Sequence, residues 1–418
     1  MALRRLFLAI AFAIAALAPA TAETPVQVAP PPPNLAALLK PAFRETSGTL
    51  FENVVTVLSE HFADAKFRQK ELPALVQEYR GRATVAITLA EQRRVVHDLL
   101  SKIPASHLGL LSTYAYRALM SDLDQAQYPS FGFQAIGAGP HVYAGMILEG
   151  GPASRAGLLV GDRLVSIDGV PAGESPRLDW RTDDAFIGDD RDPSVQYVKA
   201  AALDRIELRV ERRPGEFVNV SIAAEEYSAF DAAEASVRVF RSGASAVGYL
   251  HFWYVHLAGV PQLIASALEG RLRDVDALVL DLRGRGGSAG EVSRIVSVVQ
   301  DYRKKTRRPV VALADRQSRS GKDILLYEFR QIGVRIVGEA SAGAVIPASF
   351  ADVGYDSILM FPAGRLPKYT DLLELKPIQP DVLVERPGLF AAGRDGILEA
   401  GVAEARRLAA RQPLPLSR

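Results

Sequence analysis

From residue 236 onward, short apolar runs and helical stretches take turns along the chain, and that alternation most restricts what the chain can fold into. Residues 246–252, 277–282, 309–314 and 334–337 read as strands, and residues 259–272, 290–302 and 320–332 as helices. The run Ala277-Leu278-Val279-Leu280 is continuously apolar, as a strand covered on both faces of a parallel sheet must be. Parallel strands need crossover connections, so this part is expected to be an α/β layer structure.

The first half reads differently. Residues 36–127 are expected to be helical, because Phe51, Val54, Val55, Val57 and Leu58 recur at helical spacing, as do Leu72, Leu75, Val76 and Tyr79. Thr88 stands three residues before Glu91, a capping box that opens one more helix. Pro104 ends it, and residues 103–111 form a short link carrying Ser106 and His107. Residues 128–226 turn to short strands and tight turns, with 194–203 read as a helix and 170–193 as a polar, irregular insertion. The chain of 418 residues is therefore read as multi-domain, α+β and α/β. The expected units are an N-terminal helical domain at 36–127, a small domain at 128–226 and an α/β domain at 236–418.

The N-terminus carries Arg4 and Arg5, an apolar run over 6–17, and Ala20-Thr21-Ala22. That pattern predicts a signal peptide over 1–22 and export to the periplasm or medium, followed by a Pro-rich linker at 23–35. No second long apolar run follows, so no stable membrane insertion is expected after cleavage. The net charge of +1 gives no reason to expect a nucleic-acid partner. The absence of cysteine excludes thiol catalysis, disulfides and a lipidated cysteine. No histidines stand at metal-ligand spacing, and neither a metal nor a cofactor is expected.

In the middle segment, Gly150-Gly151-Pro152-Ala153-Ser154-Arg155-Ala156-Gly157-Leu158 is followed by Gly161-Asp162-Arg163-Leu164 and Ile167-Asp168-Gly169. This resembles a PDZ domain. The resemblance implies that Phe131, Gly132 and Phe133 form the carboxylate-binding loop. It also implies that residues 133–136 pair with a peptide C-terminus as an added strand.

The α/β part resembles the catalytic domain of the C-terminal processing, or tail-specific, serine proteases. Three blocks carry the likeness: Asp281-Leu282-Arg283-Gly284-Arg285-Gly286-Gly287, the stretch 310–324 with Ser320, and Gly338-Glu339-Ala340-Ser341-Ala342-Gly343. Arg285 replaces a common asparagine, and Asp323 a usual glutamate. The resemblance makes Ser320 the nucleophile, at the start of a helix whose unpaired N–H groups favour an oxyanion. The N–H groups of Gly287 and Gly321 are the expected donors, and Ser318 is the rival serine.

One branch of that family places its lysine base where this chain has Ala344, and no lysine follows before Lys368. Lys322, two residues after Ser320 on a helix, points away from the hydroxyl and reads as a solvated charge. The other branch resembles the tricorn protease core, with a Ser-His pair ahead of the PDZ domain and a distant glutamate. Ser106 and His107 stand at the first place. Glu374 stands at the second, ahead of Pro380-Asp381, with Leu375 and Pro377 replacing glycines. His107 is thus the expected base, oriented by Ser106 or Glu374 or both, with activity rising through a pKa near ~6–7. His251, on a strand, is expected to be structural; His256 and Asp371 are further candidates by type.

The function so implied is an exported serine endopeptidase that binds protein C-termini and cleaves through an acyl-enzyme. The alternatives are an inactive relative serving as a PDZ scaffold in the cell envelope, and a peptide-binding protein with an unrelated α/β domain.

Overall fold

The computed structural model describes residues 40–179, 183–184, 194–255, 259–385 and 392–411. The signal peptide and linker expected at 1–35, most of the insertion beyond 179, and His256 lie outside them. Among the described residues no helix is long and apolar enough to cross a membrane.

Helices Leu50–His61 and Leu89–Leu100 start where the polar residues dictate. Thr49 accepts the N–H of Glu52, and Thr88 and Glu91 close the expected capping box. Leu50, Val54, Leu58, Val96 and Leu99 from these helices share a core. That core also takes Ala351, Val353, Leu359 and Phe361 from the far end of the chain. Strand Gly109–Leu111, which begins two residues after His107, pairs antiparallel with strand Ile358–Pro362. The C-terminal part therefore reaches back and fixes the segment that carries Ser106 and His107.

The central sheet contains β1 (Phe133–Ala138), β2 (His141–Ile147), β3 (Arg163–Ile167), β4 (Ser194–Tyr197), β5 (Arg205–Arg213) and β6 (Glu216–Ala223). Their order is β6-β5-β3-β2-β1-β4. Sequence reading made 194–203 a helix, whereas 194–197 is a strand. Val195 and Tyr197 are buried and Gln196 is half-buried between them, a period of two selected by pairing with β1.

The α/β part follows with β7 (Arg238–Ser242), β8 (Ser245–His251), α1 (Val260–Glu269), β9 (Ala277–Asp281), α2 (Val292–Thr306), β10 (Val310–Ala314), α3 (Gly321–Gln331), β11 (Arg335–Gly338), β12 (Val382–Leu383) and α4 (Gly396–Ala410). The sheet order is β7-β8-β9-β10-β11-β12, with β7 antiparallel and the other pairings parallel. Leu278, Leu280, Ala312 and Ala314 face α1, α2 and α3. Val279, Val311, Leu313 and Val337 face α4. Each fully buried aliphatic side chain contributes about 1.5–3 kcal/mol of transfer free energy, so the doubly covered strands form the rigid frame of the site. The loops leaving the carboxyl ends of β8, β9, β10 and β11 carry the polar residues described next.

Candidate active site

Between β10 and α3 the chain makes a sharp turn at Ser320, whose φ of 58° and ψ of −122° lie outside the usual regions for a residue with a side chain. Such strain persists only where neighbours hold it. Here the Ser320 N–H donates to the Ala344 carbonyl at 2.7 Å, and the Ala342 N–H to the Ser318 carbonyl at 2.9 Å. Asp323, one turn along α3, accepts the N–H groups of Gly343 (3.1 Å) and Ala344 (2.8 Å) and the hydroxyl of Ser341. Burial pushes the Asp323 carboxyl up to about 6. The 338–344 turn, read as a family signature, thus works as a clamp on the turn of Ser320. Ala344 contributes its backbone carbonyl to that clamp.

The glycine loop after β9 lies against the same turn. A side chain at Gly286 would sit 2.7 Å from both Arg319 O and Ser320 Cβ. Gly287 has φ 127°, and a Cβ there would sit 2.1 Å from Val255 O. Val255 pairs across this loop, donating its N–H to Gly286 O (2.8 Å) and accepting the Ser288 N–H (2.7 Å). In such parallel pairing the bonds run through the neighbours of Gly287, so its own N–H points to the other side. Among the described residues neither the Gly287 N–H nor the Gly321 N–H, at the start of α3, has a hydrogen-bond partner. The Ser320 hydroxyl lies 3.4 Å from the Gly287 carbonyl, to which it donates.

Ser106, His107 and Glu374 come together. Ser106 Oγ is 2.9 Å from His107 Nδ1 and donates to Glu374 Oε2 at 3.1 Å. The Ser106 N–H donates to Glu374 Oε1 at 2.8 Å. Glu374 is itself fixed by the N–H groups of Val345 (2.9 Å) and Ile346 (3.1 Å), just past the clamp on Ser320. An ionised carboxylate only accepts, so the single Ser106 hydroxyl proton goes to Glu374. Its oxygen then accepts from Nδ1–H, and the lone pair of His107 is left on Nε2. His107 is buried, with φ 56°. Burial, and then the guanidinium of Arg319 beside Ser320, hold its pKa well below the ordinary imidazole value. That lies below the ~6–7 expected for a freer histidine. Among the described residues no hydrogen bond joins Nε2 to Ser320 Oγ.

The other candidates separate cleanly. Ser318 is buried, with its hydroxyl on Leu282 O (2.8 Å) and Asp315 (3.1 Å), so it braces the turn. Asp371 is exposed and pairs with Arg365. His251 is buried between Glu149 Oε1 (2.7 Å) and the Arg283 carbonyl (3.3 Å). Burial alone would lower its pKa, but Glu149 and Asp281 outweigh this and raise it. Lys322 departs from its sequence reading. It is fully buried, not solvated, and its Nζ donates to the carbonyls of Trp253 and Arg283, both at 2.8 Å. Helical spacing does turn it away from Ser320, but that side is lined by the ends of β8 and β9 rather than by water. Leu375 has φ 57° where the family pattern has a glycine, so the backbone shape survives the replacement.

The peptide-binding expectation meets an obstacle. Phe131 and Phe133 are buried, and the Gly132 N–H already donates to Ser130 Oγ at 2.9 Å. The free edge that residues 133–136 were to offer is paired with β4: Gln134 opposite Tyr197, Ala135 opposite Gln196 and Ile136 opposite Val195. Tyr197 is buried and lines a small pocket with Phe133, Gln134, Tyr114 and Tyr254. The chain's own strand therefore stands where an added strand was expected. A cavity of about 360 Å³, lined in part by Tyr143, Met146, Glu149, His251, Trp253 and Arg283, separates the central sheet from the ends of β8 and β9.

A family model for the PDZ domain matches residues 147–180. No curated protein matches the sequence. Among solved structures, the chain is similar to a photosystem II D1 C-terminal processing protease, at 16% identity and TM-score 0.46, covering 87% of this chain and 97% of that one. It is similar to the tricorn protease at 15% identity and TM-score 0.44, covering 90% of this chain and only 37% of that one. It is also similar to a putative S41 protease from Bacteroides fragilis, at 13% identity and TM-score 0.48, covering 86% and 97%.

Proposed function

We propose that the chain is a serine endopeptidase working through an acyl-enzyme at Ser320. The observation that carries this reading is the bonded series Glu374–Ser106–His107, anchored beside the strained turn of Ser320. A rotation of the Ser320 hydroxyl away from Gly287 O gives its proton to His107 Nε2 as Oγ attacks the scissile carbonyl carbon. The carbonyl π pair moves to oxygen, where the N–H groups of Gly287 and Gly321 receive it. His107 then returns the proton to the departing amine, leaving an ester on Ser320. Water, deprotonated by the same Nε2, adds to the ester carbon; as the C–O bond breaks, His107 returns that proton to Ser320 Oγ and a carboxylic acid is released. Ser106 and Glu374 hold the tautomer and balance the transient imidazolium.

Export by the N-terminal signal peptide belongs to this reading, supported by the basic start and apolar run of residues 1–22. So does recognition of substrate C-termini by the PDZ domain, with the condition that an incoming strand displaces β4 from β1. A second reading, an inactive relative serving as a scaffold, is favoured by the Ser320 hydroxyl resting on Gly287 O instead of on His107. A fluorophosphonate separates the two. Covalent capture at Ser320, lost in Ser320→Ala, supports the peptidase, and absence of capture in a folded wild-type protein supports the scaffold.

A further inference from the structure

We infer that Lys322 is a positioning residue for the oxyanion site, acting through the two backbone segments that hold Gly287. The inference rests on the peptidase reading of Ser320 and Gly287. Lys322 is fully buried two residues beyond the proposed nucleophile, and its ammonium spans two strand ends. One hydrogen bond goes to Trp253 O, two residues before Val255; the other goes to Arg283 O, four residues before Gly287. Val255 and Gly287 are the residues that pair across the gap and turn the Gly287 N–H outward. A single side chain on α3 thus ties the helix that carries Gly321 both to the loop after β9 that carries Gly287 and to the loop after β8 that pairs with it.

The environment fits a donor that ties two backbone segments together. Both observed bonds need Nζ as donor, and the ring of Phe252 lies 5.9 Å from it. The charged groups facing it are Asp315 at the end of β10, Asp281 at the end of β9 and Arg283 just beyond. Burial lowers its pKa to about 7, with Asp315 and Asp281 acting against that shift. Both bonds of Nζ go to carbonyls at the ends of β8 and β9, on the side turned away from Ser320, so the base role stays with His107 and the lysine holds the backbone. A buried donor of this kind, removed, leaves two carbonyls unpaired at the point where the loop must keep its shape.

The test compares wild type, Ser320→Ala, Lys322→Met and Lys322→Gln on a fluorogenic peptide, with affinity for a peptide boronate measured alongside. The boronate forms a tetrahedral adduct whose oxygen occupies the oxyanion site. Lys322→Met is expected to lower kcat by about tenfold to a hundredfold at unchanged KM, and to weaken boronate binding by a similar factor. Lys322→Gln, which keeps a donor, should recover part of both losses. Wild-type kcat in folded Lys322→Met, or a rise in KM with kcat unchanged, overturns the inference. Should the methionine variant fail to fold, the glutamine variant decides on the same two measures. Undiminished turnover in Ser320→Ala overturns the peptidase reading itself, a separate failure from that of Lys322.

Discussion

Glu374 holds Ser106 twice, through the backbone N–H at 2.8 Å and through the hydroxyl at 3.1 Å, although the two residues stand 268 positions apart. The bond between them closes the gap between the N-terminal segment and the α/β part, and it sets which nitrogen of His107 is free. On this account Ser106 is a relay. Ser106→Ala and Glu374→Gln should each lower kcat/KM by about a hundredfold or more, and the double variant should be little worse than either single one. Additive losses would mean that the two act separately.

The acid side of the pH profile reports His107. A base must be neutral, and a lowered pKa keeps it neutral to lower pH, so activity should rise and level off on the acid side of an ordinary imidazole. Asp323, pushed up to about 6, titrates nearby, and Asp323→Asn removes it from the curve. A limb that stays in Asp323→Asn, with its midpoint below ~6.5, fits His107 as the base. A midpoint at or above that value contradicts the lowered pKa.

Gly287→Ala should be far more damaging than its size suggests. The new Cβ would meet Val255 O at 2.1 Å and cannot keep φ 127° without strain, so the N–H must turn. Acylation by a fluorophosphonate should slow by about two to three orders of magnitude. Binding of a peptide to the central domain should not change. Unaltered acylation would place the oxyanion donor elsewhere.

The pairing of β4 with β1 predicts that the intact chain binds free C-termini weakly. Val195→Pro removes a strand N–H opposite Ile136 and should tighten binding of a C-terminal peptide, measured by fluorescence anisotropy. Amidating the peptide should weaken it again. No gain from Val195→Pro would mean that the PDZ edge is not the docking site.

Asp281 carries a structural prediction. It is buried, accepts Tyr249 Oη at 2.8 Å and pairs with Arg283, which also holds Asp395. Burial opposes its ionisation, but Arg283 and His251 outweigh it and hold the carboxyl well below the usual range. Its contribution is therefore present above the ordinary carboxylate pKa and is lost only as pH falls toward the depressed folded value. Asp281→Asn should destabilise by about 3–5 kcal/mol at neutral pH, read from urea unfolding.

What could be read in advance divides along physical lines. The α/β strands announced themselves because both faces are buried, which leaves a continuous apolar run at 277–280. Ser320, His107 and Glu374 were picked by motif, and only the fold brings Glu374 to Ser106 and His107. Residues 194–197 misled because four residues cannot distinguish a helix from a strand, and their partner, β1, lies nearly sixty positions upstream. Lys322 misled because spacing gives the direction of a side chain but not what waits there. Two backbone carbonyls leave no trace in a sequence.

The most direct test of the central claim is intact mass of the purified protein after a fluorophosphonate, with the adduct mapped by peptide sequencing. The account predicts one adduct, on Ser320, absent from Ser320→Ala and formed far more slowly in His107→Ala. An adduct elsewhere, or capture that persists in folded Ser320→Ala, would contradict it.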